Sequence, residues 1–160
     1  MSGQINFQFR QGRCIGCATC QIACSEKNRL APGQSFRQVE EVAGGEYRQS
    51  GQGLTNTVYA YWRSTTCRHC CRPACAQACP AGAVIKRADG VVLIDRKRCT
   101  GCRQCIAACP YGAVRYDPQW QQARKCDFCA DLLTRGAQPA CVEACPMRVL
   151  TVAAVPCRHD

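Results

Sequence analysis

Sixteen of the eighteen cysteines in this 160-residue chain fall into four short quartets. Cys14, Cys17, Cys20 and Cys24 form the first, in CIGCATCQIAC, and Cys67, Cys70, Cys75 and Cys79 form the second, in CRHCCRPACAQACP, where the middle gap is four residues. Cys99, Cys102, Cys105 and Cys109 form the third, in CTGCRQCIAACP. Cys126, Cys129, Cys141 and Cys145 form the fourth, with a middle gap of eleven. Each quartet ends in C-x3-C, and proline follows the last three but not the first, where Ser25 stands instead. Three thiolates spaced C-x2-C-x2-C can wrap three irons of a cubane from one tight loop. In the pattern C-x2-C-x2-C-x3-C-P the fourth cysteine ligates a neighbouring cluster. Cys105 and Cys109 are four residues apart, so their Cα atoms lie within about 14 Å, and only about 6 Å apart if helical. The proline removes a donor and turns the chain away. The chemistry such spacing supports is electron transfer between closely held one-electron centres.

Structural zinc also uses C-x2-C, as two separated pairs, and is disfavoured by four quartets with x3-C endings. A disulfide framework is disfavoured because cysteines two apart rarely bridge without strain. The amino terminus does not read as a secretory signal, which removes the usual setting for disulfides. No apolar run is long enough to span a bilayer, so the chain is expected to be soluble and without a direct membrane span. The formal charge of +10 would ordinarily point to nucleic acid or an anionic surface. Four oxidised clusters with their thiolates, each near −2, bring it to roughly +2, and no nucleic-acid-binding signature accompanies the charge. No Ser-His-carboxylate set, phosphate loop or open metal site is present, so no catalytic residue is assigned.

The elements that must hold the quartets are short. Val84 to Asp95 reads as a hairpin about a glycine turn. NTVYAYW before Cys67 and RVLTVAA after Cys145 read as strands. ATCQIAC and RQCIAAC suit one or two helical turns. AGGEYRQSGQG, from Ala43 to Gly53, reads as a loop. Several residues stand apart from the quartets. Cys71 is expected to be a bystander to Cys70, and Cys157 a free thiol. Arg96, Lys97, Arg98 and Arg124, Lys125 precede quartets, where they could tune potentials or form a solvated basic face. His69, inside the second quartet, is not expected to be a ligand. Trp62, Tyr59 and Tyr61 are expected to pack a strand on the core, an exposed ring being able instead to join a subunit interface.

The quartets, SFRQVEEVAGGEY, the strand VYAYW leading into CRHC, the hairpin ending in ID, and KCDFCADLLTRGAQPACVEACPMR together resemble the iron-sulfur electron-transfer subunits of the molybdopterin oxidoreductase family. The AGG segment favours the sulfoxide-reductase branch. The resemblance implies an α+β fold of two ferredoxin-like units, one nested within the other: residues 1–60 with 115–160 outside, and 61–114 inside. It also implies four 4Fe-4S clusters. Cys14, Cys17 and Cys20 would share one with Cys145, and Cys126, Cys129 and Cys141 would take Cys24. Cys67, Cys70 and Cys75 would join Cys109, and Cys99, Cys102 and Cys105 would join Cys79. Because Cys102 is a cysteine, all four are expected to be four-iron centres. The implied partners are a molybdopterin catalytic subunit and a quinol-oxidising membrane anchor, and the implied place is the periphery of the bacterial cytoplasmic membrane, on either face. Related assignments are the equivalent subunit of a polysulfide or thiosulfate reductase or of a formate dehydrogenase; an independent polyferredoxin is the alternative without partners.

Overall fold

The computed structural model describes residues 4–157. Its strands come as five antiparallel pairs with no larger sheet. The first strand, β1 (Gln4–Phe9), pairs with the last, β10 (Leu150–Val155), in a register that sets Gln4 opposite Val155 and Phe9 opposite Leu150. Strand β2 (Gln38–Gly44) pairs with β5 (Tyr59–Thr65), and between them β3 (Tyr47–Ser50) pairs with β4 (Gly53–Asn56). Two small hairpins complete the set, β6 (Val84–Lys86) with β7 (Val92–Ile94), and β8 (Arg115–Asp117) with β9 (Gln122–Arg124). The β6–β7 hairpin turns at Gly90, whose φ is +89°. A Cβ there would meet Gln4 of β1 at 2.7 Å, so glycine is needed both for the turn and for the strand crossing it.

The Ala43 to Gly53 segment is therefore not a loop. It carries the end of β2, all of β3 and the turn into β4, a ribbon whose residues from Gly45 to Tyr61 are exposed throughout. Its polar, glycine-rich composition reflects strands with no buried face to mark by alternation. β2 and β1 were likewise not foreseen, because each owes its conformation to a partner far along the sequence.

Helices are brief except for one. α1 (Thr19–Asn28) has ten residues, whereas α2 (Ala74–Gln77), α3 (Gln104–Ala107) and α5 (Ala140–Glu143) have four each and α4 (Ala130–Thr134) has five. For α2, α3 and α5 the difference follows from proline. After Cys79, Cys109 and Cys145 the chain turns at once, with Gly82 and Gly112 at φ +56° and +55° and Arg148 at +51°. The amide of each donates to the carbonyl of the cysteine three residues before it, at 3.1 Å. Ser25 keeps its N–H, so α1 runs on one more turn and ends at Arg29 in the left-handed region.

Two apolar clusters form the interior. One gathers Cys20, Cys24, Phe36, Cys67, Cys126, Cys141, Val142, Cys145, Val149 and Leu150, and the other gathers Val84, Val92, Cys105, Val114 and Ala123. α1 packs with α5, and α2 with α3 and β6. Among the described residues no helix is long and apolar enough to cross a membrane.

Candidate metal centres

The residue just before the second cysteine of every quartet has positive φ: Gly16 at +70°, His69 at +47°, Gly101 at +73° and Phe128 at +61°. This is the kink that turns C-x2-C back on itself. Two of the positions carry glycine because nothing else fits. A Cβ on Gly16 would lie 2.1 Å from the Trp62 ring, and one on Gly101 would lie 2.2 Å from the Gln121 carbonyl oxygen. The other two hold side chains in a region that costs about 1–2 kcal/mol for an L-residue. Both are wholly buried, and their rings meet edge to face at 5.1 Å, with Phe7 stacked on Phe128 at 4.0 Å. Burial of two rings offsets the strain.

The cysteines so turned lie close enough to act on each other's charge. Burial, then Cys141 and Cys129, push the Cys24 thiol up to about 12. Cys126 is pushed up by burial and by Cys67, and to a lesser degree by Cys24. Cys70 is raised by burial, Cys67 and Cys109. Cys75 is raised by burial and by the same two cysteines and Cys70, against the pull of Lys125. Burial with Cys99, Cys79 and Cys102 pushes Cys105 up to about 11, and Cys75 adds to it. Cys20 is raised by burial, with Cys141 and Cys145 adding to the rise and Arg37 and Ser64 opposing it. Burial likewise raises Cys129, with Cys141 among its neighbours. A hollow is lined by Cys14, Cys17, Cys20 and Cys145 together. Thus all sixteen quartet cysteines have others for neighbours, and Cys20 with Cys141, Cys67 with Cys126, and Cys75 with Cys105 join one group to the next.

Backbone amides reach several sulfurs. Ala83 donates to Cys79 Sγ at 3.2 Å, Ala113 to Cys109 Sγ at 3.4 Å and Phe128 to Cys126 Sγ at 3.4 Å. At Cys79 burial would raise the thiol, but the amides of Ala83, Val84, Ala81 and Gly82 outweigh it and hold it low. Lys125 is buried and donates to the carbonyls of Val92 and Cys126 and, at 3.6 Å, to Cys67 Sγ. It is a fixed cation between two cysteine groups, whereas Arg96 lies over Trp120 on the surface and Lys97 is exposed. Arg124 instead pairs with Asp117 at 2.7 Å.

Two expectations are corrected. Cys157 is not a free thiol: the β1–β10 pair carries it back beside Cys71, and the two form a disulfide with Cα atoms 5.6 Å apart. Sequence reading left both unpaired because they are 86 residues apart. Tyr59 and Tyr61 do not pack on the core but are 51% and 38% exposed, while Trp62 on the opposite face covers Gly16.

Three buried side-chain polar atoms among the described residues have no partner: Nε and Nη2 of Arg37, and Nε2 of His69. The Val92 amide donates to His69 Nδ1 at 3.0 Å, so Nε2 carries the proton of a ring that burial, then Lys125, keep neutral. All three are therefore donors, in an interior rich in cysteine. Unpaired buried donors call for acceptors, and the anionic sulfurs of an iron-sulfur cluster are acceptors. The donor set fits iron-sulfur clusters.

Residues 58–155 match the model of the 4Fe-4S dicluster domain. The sequence is 44% identical over 150 residues to the B subunit of the anaerobic dimethyl sulfoxide reductase of Escherichia coli (strain K12), covering 94% of this protein and 73% of that one. The same figures hold for YnfG of that organism, a probable anaerobic dimethyl sulfoxide reductase subunit. It is 40% identical over 139 residues to the thiosulfate reductase electron transfer subunit PhsB of Salmonella typhi, covering 86% of this protein and 69% of that one. With these likenesses spanning the quartets and the strands between them, the protein belongs to the 4Fe-4S dicluster family, among the non-catalytic iron-sulfur subunits typified by the B subunits of anaerobic dimethyl sulfoxide reductases.

Proposed function

We propose that the chain holds four 4Fe-4S clusters and relays electrons between a quinol-oxidising membrane anchor and the molybdopterin catalytic subunit of a dimethyl sulfoxide reductase-like enzyme. The ligand sets are Cys14, Cys17, Cys20 with Cys145; Cys126, Cys129, Cys141 with Cys24; Cys67, Cys70, Cys75 with Cys109; and Cys99, Cys102, Cys105 with Cys79. They form two ferredoxin-like units, residues 61–114 within the unit of 1–60 and 115–160. The enzyme sits peripherally on the bacterial cytoplasmic membrane.

The observation that carries this reading is how the thiols are covered, eight of them buried and six half-buried. Of the sixteen unpaired cysteines only Cys17 and Cys102 are exposed, and they fall in the first and last sets of the row that the neighbours Cys20–Cys141, Cys126–Cys67 and Cys75–Cys105 join. Covered inner sites, with an exposed thiol only in the set at either end, suit a conductor between two partners. When bound, each cluster supplies a one-electron couple. The residues' part is to hold sulfur with the amides of Ala83, Ala113 and Phe128, to place Lys125 as countercharge, and to exclude water with Phe7, Phe128 and the buried valines. Reduced clusters are more anionic, so such donors favour reduction.

Anaerobic purification with its neighbouring subunits tests the reading. The expected preparation is brown, holds about sixteen iron atoms per chain, four to each cluster, and brings a large molybdenum-containing partner. Far less iron in the fully assembled protein, or a three-iron EPR signal, would overturn the four-cluster assignment; a monomer active only with diffusible carriers would overturn the partners. The likeness to PhsB favours one second reading, a thiosulfate-type reductase, which quinol oxidation driven by thiosulfate and not by dimethyl sulfoxide would establish.

A further inference from the structure

Arg37 is 2% exposed, and among the described residues no carboxylate stands within ion-pair reach of it. One nitrogen is used: Nη1 donates to Ser64 Oγ at 2.9 Å. One face of the guanidinium lies over the Phe7 ring, 4.6 Å from its centroid. What is left unpaired is Nε and Nη2. These two are neighbours on one edge of the group, and together they are the fork with which arginine grips an anion by two parallel hydrogen bonds. Lys125, the other buried cation, differs in having its donors spent on protein atoms. A buried guanidinium without a counterion, and with its forked edge intact, is a costly arrangement unless an anion meets that edge.

Its surroundings say which anion. Ser64, held by Arg37, lines the same hollow as Cys14, Cys17, Cys20 and Cys145, and Phe36, next to Arg37 in sequence, packs in one cluster with Cys20 and Cys24. Cys20 and Cys24 stand one turn apart on α1 and belong to different ligand sets.

We propose that Arg37 is a positioning residue whose Nε and Nη2 donate to the iron-sulfur group held by Cys14, Cys17, Cys20 and Cys145, raising its reduction potential most and that of the Cys24 group by less. The inference rests on the cluster assignment proposed above. It makes Arg37 the residue that sets the relative potential of two adjacent centres, a role separate from ligation.

The test uses the anaerobically purified complex with wild-type chain, Arg37→Gln and Arg37→Lys, each assayed first for iron and sulfide and then by EPR-monitored redox titration. Arg37→Gln is expected to retain its iron and to lower one midpoint by at least tenfold in the reduction equilibrium, about 59 mV for one electron. A second midpoint falls by less, and two stay where they were. Arg37→Lys, with the charge kept and the fork lost, falls between. Four unchanged midpoints in a loaded variant, or an equal shift of all four, would sink the proposal. Should Arg37→Gln fail to load, Arg37→Lys decides by the same criterion. Pulsed EPR of wild-type protein carrying guanidino-15N arginine adds a check without mutation: a 15N coupling on one reduced centre, absent from Arg37→Lys, is expected, and no difference between the two contradicts the proposal. Absence of iron from the wild type would instead refute the cluster assignment itself.

Discussion

Gly16 and Gly101 hold the tight loops of two cysteine quartets by different contacts, a tryptophan ring in one case and a backbone carbonyl in the other. Gly16→Ala and Gly101→Ala should each destabilise by about 2–4 kcal/mol, combining left-handed strain with overpacking. Gly12→Ala, with nothing within 4 Å of the new methyl and no positive φ, should change stability by less than about 0.5 kcal/mol. Denaturant unfolding of the three variants checks this. Trp62→Leu should restore part of the loss in Gly16→Ala and nothing in Gly101→Ala, since the Gln121 carbonyl cannot move aside. At this scale the sequence told much about the cysteines, whose spacing carries the chemistry. It told little about their lining. His69 and Phe128 stand in the same register as the two glycines, and that register was the available signal, but neither residue type suggests a left-handed kink. Arg37 lies in a stretch with no cysteine, so only folding brings it to Cys20.

Among the elements, α1 owes its length to Ser25 where the other quartets have proline, which makes the missing proline legible in advance as a change of local geometry. Its far end is held by Arg124, which donates to the Asn28 carbonyl and to Asp117, both at 2.7 Å, and so ties the β8–β9 hairpin to the helix. The Arg124 guanidinium, despite the opposing effect of burial, and then the Trp120 and Gln119 amides hold the Asp117 carboxyl below the usual carboxylate range. A lowered folded value means the contribution is fully present above the ordinary range and is lost as pH falls through the folded one. Asp117→Asn should therefore cost about 2–3 kcal/mol at neutral pH, with the gap to wild type closing below about pH 4. Comparing the two proteins by denaturant at each pH checks the trend, acid loss of iron being common to both. The β3–β4 ribbon is the opposite case, exposed on both faces. Replacing residues 46–57 by a two-residue turn should leave thermal stability within about 0.5 kcal/mol and iron content unchanged. The glycines and glutamines that made it read as a loop mark real freedom from the core, but not the absence of strands.

For the whole molecule, the cross-link between Cys71 and Cys157 adds a covalent closure to those the clusters would provide. In iron-free protein, closing a span of 86 residues constrains the unfolded state by about 4.6 kcal/mol. Cys71→Ser should forfeit most of that in the iron-free form, much less in the loaded one, and leave iron per chain unaltered. Thiol titration of unfolded, iron-free wild type should find the sixteen unpaired cysteines, and the Cys71→Ser variant should show one more. Loss of a cluster in that variant would make Cys71 a ligand after all. The architecture was legible where partners are near in sequence, as in the Val84 to Asp95 hairpin. It was opaque where they are distant, as in β1 with β10 and β2 with β5, because a strand completed by a remote neighbour carries only half of its own pattern.

That first-with-last pairing also bears on biogenesis. A ribosome releases β1 well before β10, so β1 and the first quartet that follows it, Cys14 to Cys24, must wait unshielded until β10 has emerged, while the short hairpins between can close as they emerge. Maturation factors that deliver iron therefore meet a nascent protein whose inner hairpins are ready before the β1–β10 seam is closed.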